Sequence, residues 1–310
     1  MFGRISAIAL NTYRESLRAR ILIGLAGVAF AVAFYSIVVG AYTLRAGARV
    51  VSDLGVASLS LFSIAVAVII GATSLYRELE QKTIFPILAR PIRRGEYLVG
   101  KYLGTLLTLA VFILADAGLV LHISAVLAGR PVALVAGVGV ATLVVLGVAA
   151  WRSPLARTYG FIPWSVVFLA LGVFFSSVAP TERRVVLGGS ALAFLEVGIV
   201  AAWATLFSSF STPFLSSLLT LGVFLIGRNA DSLARMPVKY FGPHISAAGR
   251  ALSRVVPNLQ IYVPPRPLLA GEAVDANLAL YLGWAVVTCV GWALGLLAVA
   301  AFVFKKRDFL

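Results

Sequence analysis

The sequence has very few of the residues that build metal and catalytic sites. Its 310 residues include one cysteine, Cys289, and two histidines, His122 and His244. A single cysteine excludes a disulfide framework and a cysteine metal cluster. The histidines lie far apart and neither has a second histidine at helical i, i+4 spacing, so zinc ligation of the usual kind is not expected. We predict no metal site and no catalytic residue in this chain.

Charged residues are also scarce. They make up 12% of the chain, whereas 61% of the residues are hydrophobic and the mean hydropathy is +0.99. Soluble domains carry about 25% charged residues, so this composition indicates an integral membrane protein. Acidic residues are the rarer kind, and the net charge is +14. In so apolar a chain, this excess fits anionic lipid headgroups better than nucleic acid, which we do not expect as a partner.

A nucleotide-binding loop is missing, although the stretch GEYLVGKY (Gly95–Tyr102) comes close to one. A true phosphate-binding loop has Ser or Thr after its Lys and follows an apolar strand. Here Tyr102 stands at the hydroxyl position, Glu96 places a carboxylate where phosphates would lie, and the preceding residues are the polar ARPIRR. We therefore expect no nucleotide site in this chain.

Long apolar runs dominate the rest of the sequence. A bilayer core of about 30 Å needs about 20 apolar helical residues. Eight segments fit this pattern, and Pro213 marks a break at the start of the shortest. They are residues 21–44, 54–76, 103–128, 132–150, 164–180, 185–207, 211–228 and 279–304. The predicted fold is an all-α, polytopic membrane helix bundle with one transmembrane domain over residues 1–310.

The first 20 residues carry four arginines and a weak apolar run, which does not fit a cleavable signal peptide. Apolar residues recur at helical spacing, so residues 1–20 are predicted to form an interfacial helix; a plain basic flank of the first span is the alternative. Lys and Arg in the short loops place both termini in the cytoplasm. Residues 228–278 then form a long extracytoplasmic loop with short interfacial helices.

Residues 77–102, RELEQKTIFPILARPIRRGEYLVGKY, form the most informative loop. Thr83 can cap a short helix with an apolar face, Pro91 ends it, and a second helix starts near Arg93 or Arg94 and runs into the third span. Such a helix on the cytoplasmic face is a docking element for a soluble partner, and a merely solvated loop is the alternative. We expect Gly100 to allow close helix packing and Lys101 to snorkel to the headgroups.

This loop, YRELEQKTIFPILARPIRRGEYLVGKYLG, resembles ABC-2 type transporter permeases, particularly the NosY-like and gliding-motility-like branch. NTYRESLRARIL near the start and FKKRDFL at the end are similar to the same branch. Lys82 departs from the usual Gly and Pro86 from a usual acidic residue. The resemblance and the apolar face together assign coupling and partner binding to Glu78, Glu80, Thr83, Phe85, Ile87, Leu88, Arg90, Pro91, Arg94, Gly100 and Lys101.

The resemblance implies an ABC transporter permease subunit, an exporter of the cytoplasmic (inner) membrane. ATP and Mg would be bound by a separate ATP-binding subunit, and this chain would not be an enzyme. A second permease subunit is expected, with a homodimer favoured over a heterodimer, besides membrane lipids and an extracytoplasmic accessory protein. The family typically has six spans, so residues 132–180 are interpreted as an inserted helix pair.

Two carboxylates, Asp116 and Glu196, lie near the middle of predicted spans, where a charge is costly. Either they line a translocation path at the permease dimer, or they are buried partners of hydrogen-bond donors. The sequence leaves both readings open.

The alternative functions are an intramembrane hydrolase and a channel that is not coupled to ATP. GGSA (Gly188–Ala191) offers a serine, with His122 or His244 as base, but G-x-S-x-G and H-E-x-x-H motifs are missing. Nothing resembles a selectivity filter.

Overall fold

The computed structural model describes residues 2–18, 20–43, 46–80, 94–272 and 277–306. Over these ranges the chain is helical and contains no strand. The α-helices are α1 (Phe2–Arg18), α2 (Arg20–Ala41), α3 (Gly47–Glu80), α4 (Arg94–Leu127), α5 (Val132–Arg152), α6 (Pro154–Tyr159), α7 (Phe161–Phe175), α8 (Pro180–Ser208), α9 (Pro213–Arg228), α10 (Ala230–Ala234), α11 (Val238–Val255), α12 (Arg266–Ala270) and α13 (Leu278–Lys306). Two short 3₁₀ turns follow α7 and α11, at Ser176–Val178 and Leu259–Tyr262.

Among the described residues, seven helices are long and apolar enough to cross a membrane: α2, α3, α4, α5, α7, α8 and α13. These correspond to seven of the eight predicted spans, and the predicted all-helical bundle is confirmed. The eighth, α9, begins at Pro213 as expected but has only 16 residues. At 1.5 Å per residue it is about 24 Å long, shorter than the bilayer core.

Helices α3, α4 and α8 form the centre of the bundle. In their apolar stretches, 56%, 72% and 72% of the residues are buried. Small residues bring them together. A Cβ on Gly55 of α3 would lie 2.6 Å from Val120 of α4, and one on Gly71 would lie 2.4 Å from the Cβ of Ala204 in α8. Close backbone approach of this kind supplies the packing that holds membrane helices together, since lipid provides no hydrophobic force between them.

Helix α5 lies at the edge of the bundle, and only 6% of the residues in its apolar stretch are buried. It is linked to α7 by the Trp164 indole, which donates to the Thr142 hydroxyl over 3.2 Å. Helix α7 packs closely on α4, because a Cβ on Gly118 would lie 2.8 Å from Phe168. Both helices of the predicted pair at 132–180 are therefore present, and their status as an insertion stays a prediction.

The N-terminal helix α1 packs along the start of α4. A Cβ on Gly100 would lie 2.7 Å from Ile8, and one on Gly104 would lie 2.5 Å from the Ala9 carbonyl oxygen. The expected close packing at Gly100 is thus present, and its partner is α1. Part of the apolar face of α1 is covered by protein, while its position at the membrane surface stays a prediction.

The segment between α9 and α13 contains the short helices expected in the 228–278 loop. Helix α11 is kinked at Gly242, whose φ of 77° is followed by Pro243. That backbone region is strained for residues with a Cβ, so glycine suits the kink. The 3₁₀ turn at Leu259–Tyr262 then returns the chain to the bundle, where the Tyr262 hydroxyl donates to the Ala285 carbonyl over 3.0 Å.

Topology can be tested with cysteines placed at exposed arginines in a Cys289→Ala background. We expect Arg157→Cys, in α6, and Arg254→Cys, in α11, to react with a membrane-impermeant maleimide from opposite sides, because α7, α8 and α9 separate them. Labelling of both from the same side would mean that either the 132–180 pair or the short helix α9 does not cross the bilayer.

Candidate functional site

The predicted coupling segment is described only at its two ends. Glu78 and Glu80 lie in the last turns of α3. The next predicted residues, Thr83, Phe85, Ile87, Leu88, Arg90 and Pro91, lie outside the described residues. Arg94, Gly100 and Lys101 lie on the first two turns of α4. The described part of α4 starts at Arg94, which agrees with the predicted second helix of the loop.

Arg94 ties the start of α4 to the end of α13. Its guanidinium Nη1 donates to the carbonyl oxygens of Phe304 and Lys305, over 3.1 and 3.0 Å. A cation at the C-terminus of a helix satisfies carbonyls that have no partner within the helix and interacts favourably with the helix dipole. The Tyr97 ring stacks on Phe304, with centroids 6.4 Å apart, and adds an apolar contact between the same helices.

Lys101 does not reach toward headgroups, so the predicted snorkelling is wrong. Its side chain is buried, and Nζ donates to Ser74 Oγ over 3.2 Å and to the Ser74 carbonyl over 3.3 Å. It also pairs with Glu15 Oε2 over 3.4 Å. The physical reason is that α1 and α3 supply acceptors within reach, so the ammonium is satisfied inside the protein.

Four polar residues connect the helices on either side of the 81–93 segment to each other, to α1 and to α13, and we call them the coupling junction: Glu15, Ser74, Arg94 and Lys101. Ser74 lies on α3 before the 81–93 segment, and Arg94 and Lys101 lie on α4 after it. Glu15 brings in α1, and Arg94 brings in α13. The two helices that flank the 81–93 segment, α3 and α4, are thereby joined to each other, to α1 and to α13. Glu15 and Ser74 were not predicted, because neither stands in the loop pattern.

Glu196, in the middle of α8, is fully buried and paired with Arg228 at the end of α9. Arg228 Nε donates to Oε1 over 2.5 Å and Nη2 to Oε2 over 2.7 Å, a two-pronged geometry. Ser60 of α3 accepts from Arg228 over 2.9 Å and completes the group. Paired, hydrogen-bonded charges of this kind are the form in which a carboxylate is tolerated in a bundle. This geometry fits the interpretation that Glu196 is a buried partner of hydrogen-bond donors.

Asp116 differs from Glu196. It is also fully buried, yet within the described part of the chain neither of its carboxylate oxygens has a hydrogen-bond partner. A buried ionised carboxylate without partners is very costly, and such groups neutralise instead. Of the two carboxylates, Asp116 is therefore the one with hydrogen-bonding capacity left unused. The interpretation that Asp116 lines a translocation path therefore stays open.

The serine and the histidines considered for a hydrolase, Ser190, His122 and His244, form no hydrogen bond with one another among the described residues. The Ser190 hydroxyl donates to the Leu187 carbonyl over 3.0 Å. His122 Nδ1 lies 2.7 Å from the Gly118 carbonyl, and its ring stacks on Phe168 at 4.5 Å between centroids. His244 is exposed on α11. No hydrogen bond between a serine and a histidine occurs over the described ranges.

A second ionic group lies where α3 and α8 begin. Arg266 of α12 pairs with Glu182 over 2.6 Å and with Asp53. The Ser52 hydroxyl donates to Glu182 and accepts from Arg266. Burial opposes the charge of Arg266, but the hydrogen bonds and charges of Glu182 and Asp53 outweigh it and raise its pKa above the ordinary value. This group was not predicted, because its members are up to 214 residues apart in the sequence.

This geometry defines the class of the protein as a polytopic α-helical membrane protein with buried, paired charges. Residues 6–309 match the family described as "ABC-2 family transporter protein". The chain therefore belongs to the ABC-2 transporter family, whose members are the membrane subunits of ABC transporters and are not themselves catalytic. A comparison with curated proteins finds no match. The match covers the family as a whole, and the NosY-like branch stays a prediction.

The two buried carboxylates should respond differently to neutral replacement. We expect Glu196→Gln to destabilise the purified chain by about 3–5 kcal/mol, because it leaves the Arg228 charge uncompensated. Asp116→Asn should cost less, since Asp116 has no partner to lose. The measurement is the fraction that stays monodisperse in detergent after heating.

The double variant Glu196→Gln/Arg228→Gln is the control, because it removes both charges and should recover part of the lost stability. A Glu196→Gln protein as stable as Asp116→Asn would show that the pair contributes little.

Proposed function

We propose that this chain is the membrane subunit of an ABC exporter in the cytoplasmic (inner) membrane, with both termini in the cytoplasm. A separate ATP-binding subunit would bind ATP and Mg and drive transport. Family membership supports the transporter role. The observation that carries the coupling proposal is the coupling junction, because it fixes both ends of the docking segment to the bundle.

Docking is assigned to the apolar residues of the 81–93 segment. Phe85, Ile87 and Leu88 would enter a groove on the ATP-binding subunit, and Arg90 would pair with its acidic rim. Burying three such side chains contributes roughly 1.5–3 kcal/mol each before the costs of association. That is enough for substitutions there to change binding.

Movement of the docked segment would reach the bundle through α4. This helix has 34 residues and packs on α1, α3, α7 and α8. Asp116 lies on the same helix, 15 residues after Lys101, or about 22 Å along the axis. The cargo path is proposed to pass Asp116 at the contact with a second permease subunit, a homodimer in the preferred reading. Glu196 would support this path through its pair with Arg228. An extracytoplasmic accessory protein completes the proposed assembly.

The docking proposal predicts that Phe85→Asp releases the partner, because a carboxylate cannot enter an apolar groove without a large desolvation cost. Co-purification of the ATP-binding subunit with the tagged chain is the measurement, and we expect at least a tenfold loss. Tyr240→Asp is the matched control, since this aromatic residue is exposed on α11. Equal retention by Phe85→Asp and wild type would contradict the docking proposal.

Lys101 lies within the GEYLVGKY stretch, and its replacement tests whether this stretch binds nucleotide. Lys101→Ala should leave ATP binding by the complex unchanged, because Nζ contacts Glu15 and Ser74 inside the bundle. Binding of a fluorescent ATP analogue to the complex and to the chain alone measures this. Loss of binding in the variant, or saturable binding by the chain alone, would reinstate a nucleotide site here.

A further inference from the structure

A cavity of about 440 Å³ lies at the end of the bundle where α3 and α8 begin and α9 ends. Small-ligand sites in proteins have volumes of about 300–1,000 Å³. Its walls come from α3, α8, α9 and the segment around the Leu259–Tyr262 turn. Most of the lining is apolar and includes Val56, Ile64, Phe224 and Leu269. The cavity is therefore large enough for a small molecule or for part of a lipid.

Two arginines, Arg228 and Arg266, line this cavity. Each is held in place by a carboxylate that is not part of the lining, Glu196 for Arg228 and Glu182 for Arg266. The bonds of Arg228 to Glu196 and Ser60 use Nε and Nη2, and those of Arg266 to its partners use Nη1 and Nη2. One nitrogen of each guanidinium takes no part in these bonds.

Two guanidinium groups and one carboxylate, that of Asp53, face the cavity, and each guanidinium is paired with at least one carboxylate. Guanidinium groups fixed by carboxylates lose little freedom when they bind an anion, and their planar donors suit phosphate and carboxylate oxygens. The rest of the lining is mostly apolar and offers few hydrogen-bond partners to a small hydrophilic anion.

The side of the cavity formed by α3 opens outward. Leu61 lines it and is 61% exposed, and Ala57, one turn earlier, is exposed as well. A chain bound inside can continue past these residues into the surrounding lipid. The lining thus combines two arginines with apolar side chains and an apolar opening, which suits a molecule with two chemically different ends.

We propose that this cavity binds an amphiphile with an anionic phosphate or carboxylate headgroup and an acyl chain. The headgroup lies at Arg228 and Arg266, and the chain runs along Phe224, Ile64 and Leu61. The site does not depend on coupling to an ATP-binding subunit, because all its residues belong to one chain and lie away from the coupling junction.

The probe is phosphatidylglycerol, measured by native mass spectrometry on the full chain in detergent, with phosphatidylcholine and inorganic phosphate as comparison ligands. We expect phosphatidylglycerol to be retained at least fivefold better than the other two. Arg266→Gln should weaken its binding about tenfold, the loss expected for one charge-assisted hydrogen bond. Arg254→Gln, at an exposed arginine of α11 outside the lining, is the matched control and should change nothing.

A second variant keeps the test valid if Arg266→Gln lowers stability. Ala57→Trp starts from an exposed position and fills the cavity without disturbing buried packing, and it should also abolish retention. Retention of phosphatidylglycerol unaffected by either variant would overturn the proposal. Equal retention of phosphatidylcholine would overturn the anionic headgroup, and binding of inorganic phosphate as tight as that of the lipid would overturn the amphiphile.

Discussion

The structure depends on one constraint, that a charge within a membrane bundle must find its partner inside the protein. Water is absent from the bilayer core, so an ionised side chain there gains nothing from solvent. Lys101 and Glu196 both meet this requirement with acceptors or donors from other helices. Each of these pairs therefore also fixes the position of two helices relative to each other. Asp116 does not meet the requirement within the described part of the chain, because neither of its carboxylate oxygens has a hydrogen-bond partner there.

Packing of small residues supports the charge pairs. Lys101 can reach Glu15 only because Gly100 and Gly104 let α1 approach α4 closely. In the same way, Gly55 and Gly71 bring α3 against α4 and α8, and Ser60 of α3 then lies beside Glu196 and Arg228. A larger side chain at these glycines would separate the helices and lengthen the ionic contacts. Steric fit and electrostatics are therefore coupled in this fold, and neither holds the bundle alone.

The helices could be predicted from the sequence because a span is a local property of length and polarity. Seven long helices, the start of α4 at Arg94 and the break at Pro213 all follow from consecutive residues. The pairs could not be predicted in the same way, because Arg228 meets Ser60 across 168 positions and Arg266 meets Asp53 across 213. The snorkelling expected for Lys101 failed for this reason: the rule considers one helix in lipid, whereas α1 and α3 surround Lys101 with acceptors. An arginine at the end of α9 and a glutamate within α8 were visible as a cation and an anion, but their meeting depends on tertiary packing.

Helix α3 connects the two polar regions of the molecule. It carries Ser74 at the coupling junction and Asp53 and Ser60 at the cavity, and it is one continuous helix over Gly47–Glu80. Ser74 and Asp53 are 21 residues apart, or roughly 30 Å along a helix. Proline, a common cause of sharp kinks, does not occur in this helix. Since the bonds of Ser52 and Asp53 to Glu182 and Arg266 lie at its other end, displacement of α3 would strain the ionic group beside the cavity. The geometry of the cavity is thereby linked to that of the helix end before the loop through a single continuous helix.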